Sequence, residues 1–272
     1  MKKLFSLFLG LGALLTVGCT VETIDEHLVV DGWIEDGKSP IVILTSSVAV
    51  VDGTLDYDDL SKHVLRWATV TVNDGENSVV LTGMKNDDYF PPYIYTTSKM
   101  KGQAGKTYTL KVRYGDTEAS AVTTIPAPQT LTKLEVNETS EGSSIRVGFT
   151  PVDGSYYGFF TMREHKDSSY LACMYSLVEG HGLPVNYESL VYCGFNIMGS
   201  EYKFYYESGD HVYVRFSTMD EVSYNYWKGL YDEWAFSRNP FFPAQSTAPS
   251  NVTGGYGCWA GYGSSFYEID IP

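Results

Sequence analysis

Basic side chains are scarce in this 272-residue chain: 19 Lys and Arg stand against 33 Asp and Glu, a formal net charge of −14 at pH 7. Nucleic-acid binding draws on a positive surface that displaces condensed counterions, so nucleic acid is excluded as a partner. The same balance disfavours adsorption of the folded body onto anionic lipid. Apolar runs of membrane-spanning length are missing as well. The uncharged stretch Leu4 to Val17 has 14 residues, short of the about 20 that a bilayer span needs. Metal-ligand spacing is absent, because His27, His63, His165, His181 and His211 are scattered and none pairs with another His or a Cys. HExxH, GxSxG and GxxxxGK are not found. The acidic loop with Asp52, Asp56, Asp58 and Asp59 places Tyr57 where a calcium loop of the EF-hand type requires glycine. No nucleophile, base and stabiliser assemble in the sequence, so we expect a non-enzymatic protein with no catalytic residues, metal or cofactor. Disorder is excluded in turn by a composition 43% hydrophobic and 19% charged.

What is present begins at the N-terminus. Met1-Lys2-Lys3 is a short basic segment, and Leu4 to Val17 suits the apolar core of a secretory signal. Thr16-Val17-Gly18-Cys19 resembles a lipobox, where a bacterial signal peptidase cuts before a diacylated cysteine; Thr16 stands where Leu is usual. The plain alternative is a secretory signal followed by an incidental cysteine. We read residues 1–18 as a lipoprotein signal peptide, Cys19 as the lipidation site carrying palmitate-type chains, and 19–26 as an acidic tether with Glu22, Asp25 and Glu26. The tether resembles the surface-export signal of Bacteroidota lipoproteins, and a merely solvated linker would read the same way. Two or three acyl chains, at about 0.8 kcal/mol per buried CH₂, hold a water-soluble body durably at a bilayer.

Beyond the tether the chain is mainly β. The 22 Tyr, 13 Phe and 5 Trp suit pleated sheets. Thr107 to Tyr114 alternates strictly, with Tyr108, Leu110, Val112 and Tyr114 on one face, and Gly115-Asp116 turns it into Thr117 to Ile125. Asn73-Asp74-Gly75-Glu76-Asn77 marks another hairpin. These strands predict an N-terminal sandwich over 27–125, immunoglobulin-like or transthyretin-like, ending at the stiff break Ile125-Pro126-Ala127-Pro128-Gln129. A second β-sandwich-like domain follows over 130–272 and carries one helix at about 220–237. Val222, Tyr226, Trp227, Leu230 and Trp234 recur at three- and four-residue intervals there, behind a capping box of Thr218 and Glu221. The aromatic stripe is expected to pack into the second core.

Three cysteines remain after Cys19. Cys173 and Cys193 lie in neighbouring predicted strands and form the preferred disulfide; three buried free thiols, with Cys258 the third, fit equally. The loop after the helix holds Phe241 and Phe242, either a contact surface for a partner or a cover for the second core. In the tail, the glycines after Val252 signal a bulge or close backbone approach.

His27 to Gly32 (HLVVDG), Gly102 to Val112 (GQAGKTYTLKV), Ser223 to Tyr231 (SYNYWKGLY) and above all Pro249 to Gly257 (PSNVTGGYG), in this order, resemble a family of Bacteroidota outer-membrane lipoproteins of unassigned function. Their genes lie beside those of SusC-like TonB-dependent transporters. The resemblance implies a lipid-anchored protein of the outer membrane and cell surface that assists a TonB-dependent nutrient transporter. It carries over Cys19 as the acylation site and the tail glycines as structural. The alternative function is a cell-surface adhesion or glycan-binding module, motivated by the tyrosine content and sandwich architecture.

Overall fold

Alternation decides the first strand: Leu28, Val30 and Ile34 are buried on one face, while Asp31 and Trp33 point to the other. A computed structural model describes residues 27–47, 61–195, 202–237 and 248–272. In chain order its elements are β1 (Leu28–Glu35), β2 (Ile41–Ser46), β3 (Thr69–Asn73), β4 (Ser78–Val80), β5 (Thr82–Lys85), β6 (Tyr93–Thr96), β7 (Thr107–Tyr114) and β8 (Thr117–Thr124). They continue with β9 (Leu131–Thr139), β10 (Gly142–Phe149), β11 (Tyr156–Arg163), β12 (Leu171–Glu179), β13 (Tyr187–Val191), β14 (His211–Met219), the helix α1 (Glu221–Ser237) and β15 (Tyr256–Asp270). The chain is mainly β, with α1 the one helix that lies wholly within the described residues, in the sandwich-like arrangement its alternation implies.

One sheet of eight strands, in the order β12-β11-β14-β15-β1-β2-β6-β5, runs through the whole molecule. A four-stranded sheet, β4-β3-β7-β8, covers one part of it, and a three-stranded sheet, β13-β10-β9, covers another. The first core joins Val30, Ile34, Leu44 and Trp259 of the large sheet to Val70, Tyr108, Leu110 and Ala121. The second joins Tyr157, Phe159, Val214 and Phe216 to Ile145, Val147 and Phe149. Its rings pack closely, with Phe159 and Phe216 stacked 4.7 Å apart. Both hairpins read from sequence form: Tyr114 pairs with Thr117 across Gly115, and Asn73 with Ser78 across Gly75.

Strand β15 departs from the expected division at 125–130. Its first half, Tyr256 to Tyr262, pairs in parallel with β1, and its second half, Tyr262 to Asp270, pairs antiparallel with β14. The strand read as part of the C-terminal domain therefore completes the N-terminal sandwich too. The motif before it explains how. Asn251 mimics a strand partner, its Oδ1 accepting from Trp259 N–H at 2.9 Å and its Nδ2 donating to Trp259 C=O at 2.8 Å. Trp259 is then fully buried and donates its indole N–H to Tyr108 C=O at 3.0 Å. Gly257 has φ +105°, and a Cβ there would collide with the Val30 carbonyl. The proline-rich segment lies along the same strand: Ser265 Oγ donates to Gln129 C=O at 2.6 Å, and Leu131 N–H donates to Tyr267 Oη at 2.8 Å.

Other differences have local causes. The helix is capped by Asp220, whose Oδ1 accepts the Ser223 N–H at 2.9 Å, in place of the Thr218–Glu221 box. Asp220 Oδ2 also accepts from Thr123 of β8 at 2.8 Å, so the cap ties the helix to the N-terminal half. The helix packs on the large sheet opposite the second core, burying Ser223 and setting Trp227 and Tyr231 against Phe160, Met219 and Tyr262, while Val222 is exposed. Cys173, Cys193 and Cys258 are all free and buried, so the Cys173–Cys193 bridge is not formed. Cys193 sits in irregular chain after β13 and donates to Tyr205 C=O, whereas Cys173 meets Thr161 Oγ1 at 3.3 Å. Burial pushes the Cys193 thiol up to about 12, the reverse of what a reactive thiolate needs.

Asn251→Ala is expected to cost about 1–3 kcal/mol, because two buried backbone groups of Trp259 lose their partner. For a chain of this size that is a fall of about 2–10 °C in Tm by calorimetry. Gly257→Ala should fall further, and a Tm equal to the wild type in either variant refutes the role given to the motif.

Candidate functional site

The face of the large sheet turned away from the two cores is built by register. Asp31 lies beside Cys258, Trp33 beside Ala260, and Glu35 beside Tyr262. On the other side of β15, Phe160 lies beside Arg215. Helix α1 rests over this face, and Trp227 Nε1–H donates to Tyr262 Oη at 2.8 Å. Phe160 packs edge-on to Trp227 with centroids 5.3 Å apart.

Beneath the rings sits a buried ion pair. Arg215 Nε lies 2.9 Å from Glu35 Oε1, with side chains only 12% and 4% exposed. The guanidinium is also 4.9 Å from the Phe160 ring centroid and 4.7 Å from that of Tyr262. Burial alone would raise the Glu35 carboxyl, but the adjacent Arg215 and a hydrogen bond from Lys38 outweigh it and hold it below its ordinary value. The pair contact is ionic more than directed, since neither Glu35 Oε1 nor Arg215 Nη2 completes a hydrogen bond. It joins β1 to β14 across the shared strand.

Beside this pair a groove of about 680 Å³ opens between Asp31, Trp33, Asp88, Tyr89, Tyr170 and Trp227. A smaller pocket of about 200 Å³ shares Asp31, Trp33, Tyr170 and Trp227 and reaches Phe160, Arg215 and Tyr262. The turn bearing Asp88 and Tyr89 is held by Asn86, whose Oδ1 accepts Asp88 N–H at 2.9 Å, and Tyr89 approaches Trp33 at 5.9 Å. Asp31 has no hydrogen-bond or ion-pair partner among the described residues. Its carboxylate reaches groove solvent, yet the surrounding protein mass desolvates it enough to push its pKa up to about 6. Such an arrangement, an aromatic wall with one unsatisfied carboxylate, is suited to holding a ligand.

The residues singled out from sequence fall elsewhere. Cys19, Phe241, Phe242 and the Asp52–Asp59 loop lie outside the described residues. Cys173 and Cys193 belong to the second core. Among the described residues, no three His, Cys, Asp or Glu gather to hold a metal ion, and no helix is long and apolar enough to cross a membrane. Sequence reasoning missed Asp31, Trp33, Tyr170 and Arg215. The signal for two of them lay in LVVDGWIE: Asp31 and Trp33 share a face that the apolar alternation leaves out of the core. Residues 17–267 match the model of a protein family described as Domain of unknown function (DUF4249). None of the curated proteins compared with the chain matches it.

Two outcomes test this geometry. Arg215→Ala leaves the buried Glu35 carboxylate with Lys38 as its remaining ion-pair partner, and is expected to cost about 3 kcal/mol by denaturant titration; a loss under about 1 kcal/mol contradicts the pairing. Asp31 has a folded pKa above its unfolded value, so its carboxylate destabilises the fold as pH rises from about 4 to 6. Asp31→Asn should therefore melt higher than the wild type at pH 8, with the gap closing towards pH 4. A gap that is independent of pH rejects the desolvated carboxylate.

Proposed function

The chain belongs to the family described as domain of unknown function DUF4249, and on that premise we propose that it is a non-enzymatic, lipid-anchored lipoprotein that captures a nutrient for a TonB-dependent transporter. In this reading Cys19 carries the acyl chains and the body stands on the outer membrane at the cell surface of a Bacteroidota bacterium. Its partner is a SusC-like barrel. The observation that carries the reading is the groove itself. It combines aromatic walls with the unpartnered Asp31; Ser61, Ser168 and Ser169 also line it, but among the described residues no histidine does so to serve as a base for them. Cys258, which lines the smaller pocket, is a thiol whose pKa burial raises. Binding without chemistry is what this set of groups supports.

A second reading, a surface adhesion or glycan-binding module, is favoured by two displayed rings. Trp67 is 90% exposed and Tyr175 73% exposed, and each is held at positive φ. Tyr175 projects from an excursion of β12, where three extra residues interrupt the pairing with β11. Tyr231 and Ser176 both donate to the Cys173 carbonyl at its base.

Affinity purification from native membranes decides between the two. We expect a large β-barrel in stoichiometric amount with the wild type and its loss with Cys19→Ser. Recovery of the protein alone, together with binding on a glycan array, overturns the transporter reading in favour of the second.

A further inference from the structure

We propose that the groove over β1 and α1 recognises its ligand through a protonated amine, countered by Asp31 and flanked by the rings of Trp33 and Trp227. The inference rests on the groove being the capture site and adds the chemical class of what is captured. Charge complementarity carries it. Asp31 is the one carboxylate that lines both the groove and its inner pocket, together with Trp33 and Trp227, and it is without a counter-ion among the described residues. The inner pocket's cation, Arg215, is already engaged by Glu35, so it does not neutralise Asp31. At the rim Asp87 is matched by Lys85 at 2.8 Å, which leaves Asp88 as further negative charge. Tyr89 and Tyr170 complete an aromatic surround, and ring faces attract a cation while a desolvated carboxylate supplies a charge-assisted hydrogen bond. A neutral ligand would leave the carboxylate uncompensated in a site that already disfavours its charge.

Basic peptides and amino sugars both present this chemistry, and the size of the groove admits a short segment of either. Among the described residues, the remaining titratable or charged groups that face it are Cys258 and Tyr262 of β15, Tyr226 of α1, Tyr170, Tyr89, Asp87, Asp88 and the Glu35-bound Arg215. Protonation of Asp31 below about pH 6 makes affinity for a cation fall about tenfold from pH 7 to pH 5, and Asp31→Asn isolates its share of that fall.

The test is calorimetric titration of the full-length lipoprotein in mild detergent with two cationic probes, glycyl-lysyl-glycine and a glucosamine trisaccharide. Their neutral counterparts are the ε-acetylated peptide and the N-acetylated trisaccharide. We expect one cationic probe to bind, its neutral counterpart to bind at least tenfold more weakly, and Asp31→Asn to lose at least tenfold while keeping the wild-type circular dichroism. Whichever probe binds identifies the source of the amine. The assignment is overturned if neither cationic probe binds, if the neutral forms bind equally, or if Asp31→Asn binds as the wild type does. A Trp33→Ala, Trp227→Ala variant separates the two levels. If a neutral trisaccharide binds the wild type and not this variant, the groove remains a capture site and only the amine is wrong. If any probe binds both alike, the groove is not the site.

Discussion

Everything else in the molecule depends on β15 being accepted between β1 and β14. A strand of 15 residues serves two partners in succession, parallel to one and antiparallel to the other, and so turns two sandwiches into one continuous sheet. Backbone hydrogen bonds alone would permit register slips along such a length. Three features fix the register: the Asn251 clamp on Trp259, the close backbone approach at Gly257, and the proline-rich segment laid against Ser265 and Tyr267. The Glu35–Arg215 pair then brackets the strand from above, with one ion from each neighbour. An ion pair so deeply buried is a poor source of net stability but a strong arbiter of alignment, because any slip strands a charge.

The same joint creates the groove. Because β15 belongs to both halves, the face it exposes has Asp31 and Trp33 contributed by one half and Phe160, Arg215 and the helix by the other. The Asp220 cap, held by Thr123, fixes where the helix begins relative to that face. The carboxylate in the groove works against the fold, since its charge is desolvated without a compensating partner. Side chains that weaken the body in which they stand are common where a surface is shaped for something else to complete it.

Much of this was legible in the sequence, for reasons that follow from period and turn chemistry. The strict alternation in Thr107 to Tyr114 and the Asp-Gly turn at 74–75 located two hairpins, and the three- and four-residue spacing from Val222 onwards located the helix. The tail glycines were read as marking close backbone approach, and Gly257 meets Val30 in that way. What alternation cannot supply is the partner of a strand. It revealed neither that β15 would divide its pairing nor that residues far apart in the chain, Glu35 and Arg215, would meet. The cap was misplaced because Thr218, Asp220 and Glu221 crowd into four positions, and a side chain bound to Thr123 is a tertiary fact. The preferred cysteine pairing failed for a similar reason: both thiols found polar partners within the second core. Of the groove, only the Asp31 and Trp33 face could be seen in advance.

The central place of β15 also bears on how the chain acquires its shape. Its partner β1 is the first of the described strands and lies more than 200 residues earlier, so the seam between them closes only after nearly all of the polypeptide is available. A chain folding from its N-terminal side would therefore hold its first strands as unsealed sheet edges until the closing segment arrives. Late closure of this kind leaves those edges open to pairing with other chains, and in need of shielding, until β15 is in place.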